Sequence, residues 1–178
     1  MRVIGGEFKS RRLKTPPGDT VRPTPDRLRE SLFSILAPEI EGCVFLDAYA
    51  GCGSVGIEAL SRGARRAVFL EKSRPALRVL QENIQALQIA DRCEVHSGNA
   101  APVIAQHPAD IVFLDPPYPR EREYELCLEA LGEAPRKLVI VQHASKFTHQ
   151  LRERYGGLER VRLLSQGDNS LSFYRPRP

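Results

Sequence analysis

Two stretches of this chain hold the residue types that chemistry needs. One is Asp47-Ala-Tyr-Ala-Gly-Cys-Gly53; the other is Asp115-Pro-Pro-Tyr118. Each follows a short apolar run, over 43–46 and 111–114, of the kind a buried strand presents. In an open α/β sheet, ligands bind at the carboxyl ends of strands where the strand order reverses. Were these two strands neighbours at that point, the two loops would share one crevice.

The second loop suits a planar base with an exocyclic amine. Such an amine is a poor nucleophile because its lone pair is delocalised into the ring. Two fixed acceptors can hold its N–H groups and favour a more tetrahedral nitrogen; Asp115 Oδ and the Pro116 carbonyl are the candidates. Pro116 and Pro117 each fix φ near −65° and stiffen the loop. Tyr118 offers a ring on which an extruded base can stack. As an isolated tetrapeptide the stretch also reads as a strand-terminating turn, since Asp and Pro both favour turns.

The first loop suits a nucleoside cofactor. Gly51-Cys52-Gly53-Ser54-Val55-Gly56 satisfies G-x-G-x-x-G, a pattern shared by hydride-transfer enzymes and methyltransferases. Gly51 and Gly53 let the backbone turn and approach a ligand, and a side chain at Gly53 is expected to take the ligand's space. Asp47 discriminates between the two classes. Beside a pyrophosphate a carboxylate is unwelcome, whereas beside the cationic amino-acid end of S-adenosylmethionine it is useful. Glu71, with Lys72 next to it, ends the following strand, where an acid can accept from ribose hydroxyls. Asn99-Ala100 follows the third strand and offers an amide to adenine. Tyr49, within the loop, and Asp115, from the second loop, are included in the cofactor set. A sulfonium donor with an amine acceptor makes the chemistry methyl transfer, so no covalent protein intermediate is required.

The elements that must position these loops follow from punctuation and periodicity. Thr24-Pro25-Asp26 is a helix start with Thr24 as N-cap, and Leu28, Leu32, Ile35 and Leu36 keep the helical period as far as Pro38. Strands are then expected over 43–47, 67–71, 93–96, 111–115 and 138–142. Helices are expected over 55–61, 75–87, 101–106, 124–131 and 146–155. A closing antiparallel pair spans 158–164 and 171–174 around Gly167-Asp168-Asn169. Strand and helix in alternation mean right-handed crossovers and a mostly parallel sheet covered on both faces. The expected fold is a Rossmann-like class I methyltransferase, α/β, with a seven-stranded mostly parallel sheet carrying one antiparallel strand. A short basic N-terminal hairpin, over 2–4 and 11–13, precedes it. The expected division is an arm over 1–23 and a methyltransferase domain over 24–178.

Bulk properties narrow the partners. The chain has 178 residues and a net charge of +4, a length that one domain accommodates. Residues 1–29 hold eight basic residues against three acidic, while the rest holds 18 against 19. All the excess positive charge is therefore N-terminal, where Arg2, Lys9, Arg11, Arg12, Arg22 and Arg27 can meet phosphates. The four cysteines are scattered without a C-x-x-C pair, which argues against a zinc site or a disulfide framework and for a reducing compartment. His96, His107, His143 and His149 show no metal-ligand spacing, so no metal is expected. The N-terminus breaks at Gly5-Gly6 and does not read as a signal peptide. No apolar run is long enough to span a bilayer, and a cytoplasmic location is expected.

Four segments together resemble a known family: Arg22-Pro-Thr-Pro-Asp-Arg-Leu-Arg-Glu30, the Asp47 loop, Glu58-Ala-Leu-Ser-Arg-Gly-Ala64 and Asp115-Pro-Pro-Tyr118. In this order they are similar to the RsmD family of bacterial methyltransferases, over nearly the whole chain. The resemblance implies S-adenosylmethionine as methyl donor and residues 115–118 as the catalytic loop. It implies an N-terminal arm contacting RNA, and the N2 of guanine 966 in 16S ribosomal RNA as acceptor, within an assembling small subunit. Monomeric behaviour is expected. Cys52 and Tyr49 stand where Ser and Phe are usual, and Gln142 stands where a Glu is frequent. The residues alone leave other readings open: a DNA adenine-N6 methyltransferase, an NAD-dependent oxidoreductase, or a non-catalytic RNA-binding protein. The short chain leaves no room for a separate target-recognition or substrate domain, against the first two. The intact loops stand against the third.

Overall fold

A computed structural model describes residues 1–17, 24–117, 121–134 and 136–178. Its centre is one eight-stranded sheet in the order β3-β2-β1-β4-β5-β8-β7-β6. The strands are β1 (Val44–Asp47), β2 (Arg66–Glu71), β3 (Cys93–Ser97), β4 (Ile111–Leu114), β5 (Leu138–Ala144), β6 (Arg154–Tyr155), β7 (Leu158–Gln166) and β8 (Asn169–Pro176). The first five are parallel, and β8 pairs antiparallel with both β5 and β7. The two-residue β6 is the eighth strand, one more than the sequence indicated. Helices α1 (Asp26–Leu36), α2 (Ser54–Ser61), α3 (Arg74–Leu87) and α4 (Glu121–Glu133) connect them.

The central strands are short and apolar on both faces, as strands buried between two helical layers must be. Alternate residues of β1, β4 and β5 enter opposite cores. Phe45, Phe113 and Ile140 pack with Leu28, Leu32, Leu60 and Leu80 of α1, α2 and α3. Leu46, Leu114 and Val141 pack with Cys127, Leu128 and Leu131 of α4. Since side chains alternate along a strand, Asp47, Asp115 and Gln142 fall on the first of these faces, at the carboxyl edge. The strand order reverses between β1 and β4, and these two strands pair directly, Asp47 with Phe113.

Three local expectations are corrected. Pro25, not Thr24, is the N-cap of α1; the Thr24 hydroxyl instead donates to Gln142 Oε1 at 3.1 Å, a tertiary partner that local capping rules cannot foresee. The expected helix over 146–155 is a 3-10 turn, Ser145–Gln150, followed by β6. Tyr155 is drawn into the sheet, where its ring stacks edge-on against Tyr174 at 5.7 Å. The helix over 101–106 shrinks to a 3-10 turn, Ile104–Gln106.

The arm is built into the molecule. Its two strands reduce to a single bridge between Arg2 and Arg12, with Val3 N–H donating to the Arg11 carbonyl at 3.0 Å. Val3, Phe8 and Leu13 are nonetheless buried in the same core as α1 and α2. No helix among the described residues is long and apolar enough to cross a membrane.

Candidate active site

Pairing of β1 with β4 brings the two loops to one edge, stitched by Ala48 N–H donating to the Phe113 carbonyl at 3.0 Å. Asp47 Oδ2 accepts from the Gly56 N–H at 2.9 Å. That residue is in the first turn of α2, so the carboxylate supplies the acceptor that the helix N-terminus lacks. Burial raises the Asp47 pKa to about 7, with the Glu71 charge adding to it and the Gly56 N–H opposing it. Burial likewise raises Asp115 to about 7, and the neighbouring Asp47 charge adds to that. No hydrogen bond to the Asp115 carboxylate occurs among the described residues. Two acids raised in one cleft mark a site adapted to a cation or to proton transfer.

The glycine loop is held by Glu71. Its Oε2 accepts from Gly51 N–H at 2.8 Å, and its Oε1 accepts from the N–H groups of Lys72 and Ser73. A carboxylate has about four acceptor positions, so one remains for a ribose hydroxyl. Gly51 and Gly53 have φ of 55° and 85°, a region L side chains avoid. They differ in what surrounds them. A Cβ on Gly51 would enter open space, whereas one on Gly53 would lie 2.4 Å from Leu80 Cδ1 and 3.2 Å from Ile57 Cδ1. Gly53 therefore serves helix packing, and Gly51 borders the cradle.

The remaining expected residues divide. Lys72 and Asn99 are exposed at the same edge and Ala100 is buried beside them. Tyr49 turns away, its hydroxyl donating to Glu123 Oε2 at 2.8 Å and lying 3.2 Å from Cys127 Sγ. That anchors the loop to α4, and burial raises its phenol pKa. Arg2, Lys9, Arg11, Arg12 and Arg27 are exposed. Arg2 lies 3.9 Å from Asp26, and Arg11 donates to the Ala86 carbonyl at 3.2 Å. Tyr118 and Arg22 lie outside the described residues.

Three polar residues to which the sequence reading gave no role join the arm to α1, α2 and α3. Glu58, fully buried, accepts from Ile4 and Gly5 N–H at 2.8 Å each and from Arg62 Nε at 2.8 Å. Asn83 receives Lys14 N–H at 2.8 Å and donates to the carbonyls of Lys14 and Cys52 at 3.0 Å each. Arg29, also fully buried, donates to the Arg2 carbonyl at 2.8 Å and to Asp26 at 2.9 Å. Each occupies a position among buried apolar residues: Arg29 with Leu32, Phe33 and Leu36, Asn83 with Leu80, Ile84 and Leu87, and Glu58 between Ile57 and Ala59-Leu60 of α2. That was the signal available in the sequence, because a polar group at a core position needs a partner.

A doubly wound sheet with this strand order, a glycine cradle after β1 and an Asp-Pro-Pro loop after β4 define a class I methyltransferase. The methyl donor of that class is S-adenosylmethionine. The residues present fit it: the space beside Gly51 is open, and two acids with raised pKa, Asp47 buried and Asp115 half-buried, suit a positive charge. Residues 1–175 match the family described as Conserved hypothetical protein 95, and the chain belongs to this family, the RsmD family. The Escherichia coli K12 protein named ribosomal RNA small subunit methyltransferase D is 43% identical over 122 residues, covering 67% of this chain and 61% of that protein. The solved structure of Escherichia coli yhhF superposes with a TM-score of 0.86 at 31% identity, over 99% of this chain and 98% of the other. At 19% identity the Thermus thermophilus 16S rRNA N2 G1207 methyltransferase RsmC, solved with AdoMet and guanosine, shares the fold alone. Its TM-score is 0.71, over 89% of this chain and 45% of that one.

Proposed function

We propose that this protein transfers a methyl group from S-adenosylmethionine to the exocyclic N2 of a guanine in 16S ribosomal RNA, guanine 966 by family likeness. The observation that carries the reading is the pair of carboxylates, Asp47 buried and Asp115 half-buried, at adjacent strand ends, one beside the glycine cradle and one opening the Asp-Pro-Pro loop. The target RNA rests on the relatives' names, and the arm's exposed cations support it.

When bound, S-adenosylmethionine supplies a methyl group made electrophilic by its sulfonium. The chain does the rest by positioning. The cradle at Gly51 and the Asp47 carboxylate would hold the donor's cationic amino-acid end, Glu71 would accept from its ribose, and Asn99-Ala100 would border its adenine. Asp115 Oδ and the Pro116 carbonyl accept from the two N–H groups of the target amine and aim its lone pair. Asp115, near neutrality in pKa, then takes the proton that the methylated nitrogen sheds. Tyr118 contributes a stacking ring. Arg2, Lys9, Arg11, Arg12, Arg22 and Arg27 grip phosphates, and the small subunit under assembly is the proposed setting.

The test is transfer of labelled methyl from S-adenosylmethionine to ribosomal RNA from cells lacking the enzyme, followed by nucleoside analysis. Label in N2-methylguanosine supports the reading. Label in N6-methyladenosine, or none, overturns it.

A further inference from the structure

Chain spacing gives the four histidines no metal pattern, yet the fold brings two of them together on the other side of the sheet from α1. Glu94 and His96 stand two residues apart on β3, so they share a face. His107 arrives from the turn after Ile104–Gln106. One ligand atom from each of Glu94, His96 and His107 lies within 4.8 Å of the other two. The imidazoles of His96 and His107 lie 4.3 Å apart between centroids. His96 Nε2 and Glu94 Oε1 share a hydrogen bond of 2.5 Å.

We infer that Glu94, His96 and His107 form a divalent transition-metal site, with Zn²⁺ as its ion. Two imidazoles and one carboxylate are the donors such an ion takes, with His N and Glu O distances near 2.0–2.2 Å. Placing the ion requires His96 and Glu94 to part by less than about 1 Å, and both are surface side chains with room to move. The metal then replaces the hydrogen they share. Arg66 does not compete for that position. Its guanidinium contacts the other carboxylate oxygen, Glu94 Oε2, at 3.3 Å and leaves Oε1 directed at His96. A partner on the far oxygen is how outer groups orient a metal-binding carboxylate. Three protein donors leave one coordination position open to water. A hard ion such as Mg²⁺ is disfavoured, because imidazole suits zinc, copper and nickel and oxygen ligands suit magnesium.

The position gives the site a consequence. An ion joining His96 to His107 closes the loop over 97–106, which carries Asn99 and Ala100 at the carboxyl edge. A clip across a loop reduces its freedom, so the ion stiffens that border of the crevice.

The experiment titrates Zn²⁺ into the full chain, previously stripped with a chelator, by calorimetry, and repeats it with Co²⁺ by visible absorption. The expected result is one saturable site per chain with a tetrahedral Co²⁺ band. His96→Ala and His107→Ala should each weaken binding by roughly tenfold or more, at least the cost of losing an outer partner. Zn²⁺ should slow amide exchange over 98–106. Absence of a saturable site in the wild type overturns the assignment. So does affinity unchanged in both variants, which would place the ion at the cysteines or elsewhere. Methyl transfer is not the readout, so neither result depends on the proposed reaction.

Discussion

At the scale of single residues, the proposed chemistry rests on the carboxyl ends of β1 and β4. Asp115→Asn keeps the shape and removes the strong acceptor. Methyl transfer should fall by about a hundredfold or more, by analogy with loss of a positioned hydrogen-bond partner in a water-poor site. S-adenosylmethionine affinity, measured by calorimetry, should change only a few-fold; a large loss would show that Asp115 serves the cofactor more than the target amine. The acids also set two opposite pH trends. Asp115 must be ionised to accept, so turnover should drop as pH falls through about 7. Stability runs the other way. The folded-state pKa lies above the usual 3.8, so between the two values the folded chain holds a proton that the unfolded chain has lost, and stability declines as pH rises through that window. The ligand-free thermal midpoint should therefore fall between pH 5 and pH 8 by more in the wild type than in Asp115→Asn. Parallel curves for the two proteins would contradict the burial of that carboxylate.

At the scale of elements, the glycine cradle and the arm clamp are separable. Gly51→Ala and Gly53→Ala both place a side chain in the left-handed region, at about 1–2 kcal/mol each. Only the second drives a methyl into Leu80 and Ile57, adding roughly 1–3 kcal/mol of overpacking. Gly51→Ala should thus melt a few degrees below the wild type while binding S-adenosylmethionine more weakly, and Gly53→Ala should melt lower still. The reverse order would exchange their roles. Glu58 fixes how α2 holds the arm. Glu58→Ala leaves two backbone donors and Arg62 without their acceptor and should cost roughly 2–4 kcal/mol. Proteolysis should then open the chain near residues 4–14 first; cleavage confined to other loops would show that the arm stays seated without the clamp.

At the scale of the whole molecule, charge and fold act together. The arm's hydrophobic residues are core, while Arg2, Lys9, Arg11 and Arg12 remain at the surface. A basic arm packed along α2 and α3, rather than a loose tail, therefore carries these cations: Asn83 ties its residue-14 end to the cofactor loop, and Phe8 N–H bonds Ser61 at the opposite end of α2. Replacing Arg2, Arg11 and Arg12 together with Ala should weaken RNA binding and leave S-adenosylmethionine binding intact. Each lost phosphate contact should reduce the log–log salt slope by about 0.7–0.9. An unaltered slope would place the RNA surface elsewhere.

Much of this was legible in the residues themselves. Apolar runs of four to six residues between turn formers gave the parallel strands, because burial on both faces leaves no polar alternation. Glycine spacing and Asp-Pro-Pro gave the two loops, because backbone conformation and stiffness are local properties. Strand adjacency, by contrast, is non-local: only the sheet placed β1 against β4 and so set Asp47 near Asp115 and raised both acids. The roles of Arg29, Glu58 and Asn83 were hidden for the same reason, since their partners lie 27, 54 and 69 residues away in the chain. Thr24 and Tyr155 were misplaced because distant contacts, to Gln142 and to Tyr174, overrode local preference. The sequence by itself determined the alternation of parallel strands with helices and the candidate residues for the chemistry. The tertiary structure decided which of those residues meet, because meeting depends on strand order and on the facing of side chains across a packed core.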